Sequence, residues 1–358
     1  MTPVPVWIVG AGGMLAGEFL RLALAHPELA LGGAITRQSS VPLADLHPHL
    51  PVADRTQTLE EALPALGDAP EGAWLVLALP HGESAAAWRS LRATLGEGAE
   101  RLRIVDLSAD YRLQDSAAYE RWYGKPHADR AELQHFAYGL PELTDALSGA
   151  TRIAAPGCFA TALQLACVPA ARAGLVTEDA PWVVHAVTGS SGSGAKPKAG
   201  THHPHRNANL HGYAPDGHRH EAELAQALEP AGLAPRVTFL PHSGPFVRGI
   251  HLSAVLPLAA NSAGTTHATY DEAHEAYITC YAECPFVEVL GEGAPELRRV
   301  VGSNRAVLGV NLRNDALVVS VAIDNLVKGG SGQALQAMNL AAGWPETLGL
   351  PRNGLGAI

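Results

Sequence analysis

Val4-Pro-Val-Trp-Ile-Val-Gly10 runs without a break into Ala11-Gly12-Gly13-Met14-Leu15-Ala16-Gly17. The first seven residues are almost continuously apolar, the pattern of a strand buried on both faces of a parallel sheet. The glycines that follow read as a turn, and Glu18 to Ala25 as a helix. A strand, a glycine turn and a helix in that order form the context of a dinucleotide fingerprint. Gly10, Gly12 and Gly13, flanked by Ala11 and Met14, would let the backbone approach a pyrophosphate resting on the helix N-terminus. The spacing is Gly-x-x-Gly-x-x-Ala, with Ala16 in the third place. A tight turn without a ligand is the plainer alternative.

Working outward, three more apolar runs end in polar loops. Ala30 to Thr36 leads into Thr36-Arg37-Gln38-Ser39-Ser40. A site that prefers NAD would carry Asp or Glu here for the ribose hydroxyls. Thr36, Arg37 and Ser39 instead suit a 2′-phosphate, so NADP(H) is the expected cofactor. Ala73 to Leu79 is followed by Pro80-His81-Gly82-Glu83-Ser84, and Leu79 and Pro80 join the cofactor set. Leu102 to Leu107 is followed by Ser108-Ala109-Asp110-Tyr111-Arg112. Ligands of open parallel sheets bind beyond the carboxyl ends of the strands. Arg112 is therefore a candidate clamp for an anionic substrate, with an ion pair to Asp106 or Asp110 as the alternative.

A chain of 358 residues exceeds what one core usually holds, which predicts two domains. Its composition, 47% hydrophobic and 17% charged, is that of a globular protein, and no apolar stretch is long enough for a bilayer-spanning helix. The opening residues lack the basic region and cleavage site of a signal peptide. Cys158, Cys167, Cys280 and Cys284 have neither zinc-ligand nor disulfide-framework spacing, so free thiols, a cytoplasmic location and no metal site are expected. A formal net charge of −10 argues against a nucleic-acid partner.

The second half carries the chemistry. In Ala155-Pro-Gly-Cys158-Phe-Ala-Thr-Ala162, Pro156-Gly157 ends the preceding segment and helix formers follow from Ala160. Cys158 thus falls at or near a helix N-terminus, where the dipole favours a thiolate. It is the expected nucleophile; an inert buried cysteine is the alternative. After a strand from Trp182 to Val187, the loop Thr188-Gly-Ser-Ser-Gly-Ser-Gly194 reads as a linker or as an anion cradle. In the cradle reading Ser190 and Gly192 serve the cofactor and Ser191 the substrate. His202, His203, His205 and His211 read as solvated. His218-Arg-His220-Glu-Ala-Glu223 suits acid–base work, one imidazole sharing a proton with Cys158 while Glu223 orients it. Arg236 to Leu240, Ile250 to Leu256 and Ala316 to Ile323 are expected strands, Ala268 to Cys280 a helix. Arg248 is a second anion clamp or a turn cap. Lys328-Gly-Gly-Ser-Gly332 opens a helix and invites either a second dinucleotide reading or a packing turn. Together these elements predict an α/β Rossmann domain with a parallel sheet and an α+β domain with a mixed sheet.

The motifs taken together resemble the N-acetyl-gamma-glutamyl-phosphate reductase family of the aspartate-semialdehyde dehydrogenase superfamily, over nearly the whole chain. The matching residues are Gly10-x-x-Gly13, Leu79-Pro-His-Gly82, Asp106-Leu-Ser-Ala-Asp-Tyr-Arg112, Pro156-Gly-Cys158, His218-Arg-His220-x-x-Glu223, Arg248-Gly-Ile250, Gly302-Ser-Asn304 and Asp324-Asn-Leu-Val-Lys-Gly329. Ala16 and Glu221-Ala222 depart from the family pattern. The resemblance implies NADPH-dependent reduction of an acyl phosphate to an aldehyde through a Cys158 thioester. It implies Asn325 on the nicotinamide side of the cofactor and Arg112 near the phosphate. It also implies a discontinuous Rossmann domain (1–157 and 325–358), a catalytic and dimerisation domain (158–324), and a homodimer or homotetramer.

A sister group acts on aminoadipyl phosphate held on an acidic carrier protein, which would make that carrier a partner. His202-His203-Pro204 and Gly343-Trp-Pro-Glu-Thr-Leu-Gly349 are similar to that group. Cys158-Phe-Ala-Thr161 and Thr188-Gly-Ser-Ser-Gly192 are closer to the arginine-biosynthetic one, which is favoured. A catalytically silent NADP-binding sensor is the alternative of another class.

Overall fold

The computed structural model describes residues 2–260 and 268–356. Two compact units divide the chain: residues up to Pro156 together with Gly330–Leu350, and Gly157–Gly329 together with the residues from Pro351.

The first unit runs β1 (Val4–Val9), α1 (Met14–Ala23), β2 (Leu29–Ile35), α2 (Leu43–Leu46), β3 (Thr56–Gln57), α3 (Leu59–Gly67), β4 (Ala73–Leu77), α4 (Ser84–Leu95), β5 (Leu102–Asp106), α5 (Ser116–Tyr123), β6 (Ala137–Tyr138) and β7 (Arg152–Ala154). Its seven strands lie in the order β3-β2-β1-β4-β5-β7-β6, every pairing parallel. The order reverses between β1 and β4, which makes their carboxyl ends the topological switch point where such sheets bind ligands. The β4 strand is buried at all five positions, as a strand covered on both faces requires. Helix α1 starts at Met14, four residues before the expected Glu18. Only Gly10–Gly13 is needed to reverse the chain, and Gly17 is already donating to Gly13 O at 2.9 Å.

The second unit runs α6 (Cys158–Arg172), β8 (Trp182–Thr188), α7 (His203–Arg206), β9 (His211–Gly212), α8 (Glu221–Leu228), β10 (Val237–Ser243), β11 (Ile250–Pro257), α9 (Tyr270–Cys280), β12 (Val287–Leu290), β13 (Ala306–Arg313) and β14 (Ala316–Ile323). A final helix, α10 (Gly332–Ala342), returns to the first unit. The second sheet is mixed, in the order β12-β13-β14-β11-β8-β10-β9. β8 pairs parallel with β10 and β12 with β13; the other pairs are antiparallel. The β11 burial pattern alternates along its length, the period-2 signature of a sheet with one covered face. Among the described residues no helix is long and apolar enough to cross a membrane.

Helix α6 forms the core of the second unit, with every residue from Phe159 to Ala171 buried. Full burial of a Leu or Phe side chain contributes about 1.5–3 kcal/mol. The helix contains Pro169, which has no N–H for the carbonyl four residues back. The Tyr281 hydroxyl donates to that carbonyl, Leu165 O, at 2.8 Å, and Tyr277 donates to Ala166 O. Two tyrosines at the end of α9 thus repair and anchor the interrupted helix.

The segment after β14 divides differently from the expected limit at residue 325. Asn325–Gly329 and the residues from Pro351 cluster with the second unit. The last stretch is held there by Asn304 N–H to Pro351 O (2.8 Å) and Leu355 N–H to Val301 O (2.9 Å). In between, α10 is buried in the first unit despite its polar residues, because each finds a partner. Gln333 donates to Gly139 O, Gln336 to Glu142 and Glu346, and Asn339 to Glu346 O and Leu348 O.

Candidate active site

In the first unit the residues expected to hold a dinucleotide gather at the switch point. Gly10 has φ of +88°, and a Cβ there would stand 2.5 Å from Ala78 O, so only glycine fits between β1 and the end of β4. Leu79 lies over the same spot. Gly13 is the N-cap of α1, and Gly12 is exposed with no heavy atom within 4 Å of where its Cβ would be. The turn is therefore an open cradle at a helix N-terminus, a shape and polarity that fit a pyrophosphate. Beyond β2, Thr36 Oγ1 donates to Gln38 O, shaping the loop that carries Ser39. The Arg37 side chain is 93% exposed, with one weak contact to Glu83 at 3.8 Å, so its guanidinium is available to a 2′-phosphate. Pro80 is exposed and Met14 stands at the first position of α1.

Arg112 is buried and donates to two backbone carbonyls. Nε donates to Ala155 O at 2.8 Å and Nη2 to Leu107 O at 3.3 Å. It braces the strand end that leads toward Pro156. Asp110 receives Gly82 N–H, Ala85 N–H and the Tyr119 hydroxyl, which fixes the 79–85 loop. Burial first, and then the neighbouring Asp110, push the Asp106 carboxyl up to about 6.

In the second unit Cys158 is the first residue of α6, half-buried, with Gly157 as N-cap. The ladder begins with Thr161 N–H to Gly157 O at 2.8 Å, so the peptides of Phe159 and Ala160 belong to the first turn and present donors at the helix end. That end favours a thiolate and can hold an oxyanion. Sequence alone placed the helix start at Ala160; it lies two residues earlier because Gly157 takes the extended cap conformation.

The α8 end of the histidine motif packs against this turn. A Cβ on Gly157 would be 2.4 Å from His220 Nε2, so the imidazole lies directly against the Gly157 α-carbon. The buried Glu223 carboxylate accepts Gly157 N–H at 3.0 Å, so this bond holds the turn that carries Cys158. His218 Nδ1 accepts the His220 N–H at 3.2 Å, which leaves the hydrogen of its neutral ring on Nε2. Burial, reinforced by Arg219, pushes the His218 imidazolium down to about 4, so this ring is neutral at pH 7. The two imidazoles stand edge to face, 4.6 Å apart.

The Thr188–Gly194 segment is a folded loop. Thr188 ends β8, and Ser190 N–H and Ser191 N–H donate to Phe246 O and Val247 O at 2.9 and 3.0 Å. Asn325 is buried; its amide donates to Ser191 Oγ (2.9 Å) and its Oδ1 accepts Gly249 N–H (2.7 Å). Gly192 is exposed at the tip. Arg248 sets its Nε–Nη2 edge on the fully buried Asp324, at 3.0 and 3.2 Å. The same carboxylate accepts the N–H groups of Gly302, Leu326 and Val327.

Three residues were given no role by the sequence reading. Asp324 is a hub for five donors. Gly329, in a π-helical turn at Val327–Ser331, lies against Cys158: a Cβ there would be 2.8 Å from that of Cys158. This places the Lys328-Gly329 stretch as packing rather than as a second dinucleotide turn, with Lys328 fully buried over Phe286. Tyr213 is the third; burial, and then Cys158, hold its phenol above the ordinary range. His202, His203, His205 and His211 are exposed, and no group of three or more metal-ligating side chains occurs among the described residues.

Comparison with known proteins accords with this geometry. Residues 5–150 match the semialdehyde dehydrogenase NAD binding domain, and residues 158–325 the semialdehyde dehydrogenase dimerisation domain. The chain is 43% identical to N-acetyl-gamma-glutamyl-phosphate reductase of Mycobacterium avium, over 96% of each chain. It is 38% identical to LysW-L-2-aminoadipate 6-phosphate reductase of Deinococcus radiodurans, over 98% of this chain and 97% of that one. Aspartate semialdehyde dehydrogenase II of Vibrio cholerae, at 15% identity, shares the fold with a TM-score of 0.65 over 96% of this chain and 99% of that one. The chain belongs to the N-acetyl-gamma-glutamyl-phosphate reductase family of the semialdehyde dehydrogenases.

Proposed function

We propose that the protein uses NADPH to reduce N-acetyl-L-glutamyl 5-phosphate to N-acetyl-L-glutamate 5-semialdehyde, releasing phosphate. The observation that carries this reading is Cys158 at the first turn of α6 with the His220 ring against its N-cap. A nucleophile alone would serve many reactions; the open glycine cradle and exposed Arg37 of the first unit add a cofactor with a 2′-phosphate.

In the forward direction the Cys158 thiolate attacks the acyl carbon, forming a C–S bond, while the C–O bond to phosphate breaks and phosphate leaves. Bound NADPH supplies a hydride to the thioester carbonyl carbon. The first-turn peptides of α6 hold the oxygen as it gains charge, and His220 donates a proton to it. His220 then withdraws that proton as the C–S bond breaks, which frees the aldehyde and restores the thiolate. His218, neutral and bonded to the His220 backbone, holds its neighbour in place. Thr36, Arg37 and Ser39 would hold the 2′-phosphate, and Gly10, Ala11, Gly12, Gly13 and Met14 the pyrophosphate. Leu79 and Pro80 would flank the cofactor, with Ser190, Gly192 and Asn325 on its nicotinamide side. Arg112 in the first unit is a candidate anion clamp for the substrate; in the second unit Arg248 is another, and Ser191 would offer a hydroxyl.

The four free thiols accord with a reducing cytoplasm. Val183, Leu240 and Val255, exposed along the second sheet, accord with a homodimer or homotetramer.

The deciding experiment follows NADP reduction by the purified protein with phosphate and N-acetylglutamate semialdehyde, with carrier-linked aminoadipate semialdehyde in parallel. Preference for the acetylated substrate is expected. Preference for the carrier-linked one transfers the protein to the activity named for the Deinococcus relative. Turnover of neither, with NADPH still bound, overturns the enzyme reading in favour of a sensor.

A further inference from the structure

The cofactor turn is held by a residue outside the glycine motif. His47 follows α2, and its ring is buried, 5% exposed, in the first unit. Its backbone is fixed on both sides, His47 N–H donating to Leu43 O at 2.8 Å and Leu50 N–H to His47 O at 2.9 Å. The ring Nε2 stands 2.6 Å from Ala11 O. A carbonyl only accepts, so Nε2 carries the hydrogen of this bond. The opposite nitrogen lies against α1: a Cβ on Gly17 would be 2.5 Å from Nδ1. A side chain at Gly17 would thus dislodge this ring.

The peptide between Ala11 and Gly12 is planar and trans, so its C=O and N–H point in opposite directions. Drawing Ala11 O toward His47 turns the Gly12 N–H away from the protein interior. Gly10 and Ala11 N–H both donate to Ile35 O, and Gly13 N–H donates to Gly10 O. Among the described residues Gly12 N–H has no such acceptor, and Gly12 is exposed.

We propose that His47 is a positioning residue for the cofactor: by gripping Ala11 O it fixes the Gly12 N–H toward the pyrophosphate, and Gly17 exists to admit the ring. The inference rests on the NADP(H) reading of this turn, and its test separates the two. Affinities for NADPH and for adenosine 2′-monophosphate, which has the 2′-phosphate but no pyrophosphate, are measured by titration calorimetry on the full chain. Wild type and the variants His47→Ala, His47→Gln and Gly17→Ala are compared. A hydrogen bond to a charged group sets the expected scale, about ten- to hundredfold. His47→Ala weakens NADPH by that factor and leaves the nucleotide monophosphate unchanged. His47→Gln, whose amide hydrogen can take the place of Nε2–H, restores NADPH binding to within about threefold. Gly17→Ala reproduces the defect although alanine favours the helix. Unchanged NADPH binding in His47→Ala, or equal weakening of both ligands, overturns the positioning role. Wild type that binds the monophosphate but not NADPH, or neither, overturns the cofactor reading itself.

Discussion

Helices α1 and α6 both begin at a glycine N-cap with no side-chain cap, Gly13 and Gly157, yet their ends are furnished in opposite ways. At α1 the tip of the turn is bare: Gly12 is exposed, and nothing stands within 4 Å of where its Cβ would be. At α6 the turn is crowded. His220 lies against the α-carbon of Gly157, Glu223 takes its N–H, and Gly329 backs Cys158. The same partial positive charge serves both. An open end recruits an anion from solvent, whereas a filled end tunes a residue already in the chain. Glycine is needed at both places for different reasons, room for a ligand in one and room for an imidazole in the other.

The strongest way to break this contrast is to change the residue that the filled end serves. Cys158→Ser is expected to lower kcat at least about a thousandfold, because a serine hydroxyl lacks the thiolate's nucleophilicity. NADPH affinity should stay within about twofold, which calorimetry on the same preparation checks. Loss of affinity in step with rate would mean that the two ends are not separate devices.

Acid attacks the filled end through His218. Its folded pKa of about 4 lies below the ordinary 6.5, so burial favours the neutral ring. The stability this gives is complete above pH 6.5 and is lost as pH falls toward 4, on the order of 3 kcal/mol. His218→Phe should flatten the fall in Tm between pH 6.5 and 4, measured by thermal melts across that window.

A matched pair of alanines sharpens the comparison. Gly157→Ala forces the His220 ring aside and should lower kcat about tenfold to a hundredfold, with little change in NADPH binding. Gly12→Ala meets no atom of the protein, so Tm should move by less than about 2 °C. Its methyl occupies the cradle, so NADPH affinity should fall instead. The smallest effect lies away from both ends. Tyr281→Phe leaves Leu165 O without its hydroxyl donor and should cost about 1–2 kcal/mol in urea unfolding, with kcat unaltered.

The open end was far more legible in the sequence than the filled one. Val4–Gly13 announces a buried strand and a turn because every determinant is local: an apolar run, glycines, then helix formers. Pro156-Gly157 likewise marks Cys158 as helix-initial. The furnishing of the α6 end was mostly hidden. Glu223 was picked out as an orienter, but nothing in its surroundings indicates that its carboxylate meets Gly157 N–H. Arg248 and Asp324 are a pair that only the β11–β14 register brings together. His47 looks like one of many loop histidines until its ring is seen on Ala11 O. Long-range partners leave no spacing to read, and the start of α1 was misplaced because glycine there is compatible with turn and helix alike.

The return of α10 to the first unit has a consequence for synthesis. The unit whose strands leave the ribosome first stays incomplete while Gly157–Gly329 are translated, since its own Gly330–Leu350 follows them. At ~5–20 residues per second that is a wait of roughly ten to thirty-five seconds. Throughout it, the apolar surface that α10 later covers stays bare in the nascent chain. A chain that stops before Gly330 therefore lacks the helix that covers this surface of the first unit.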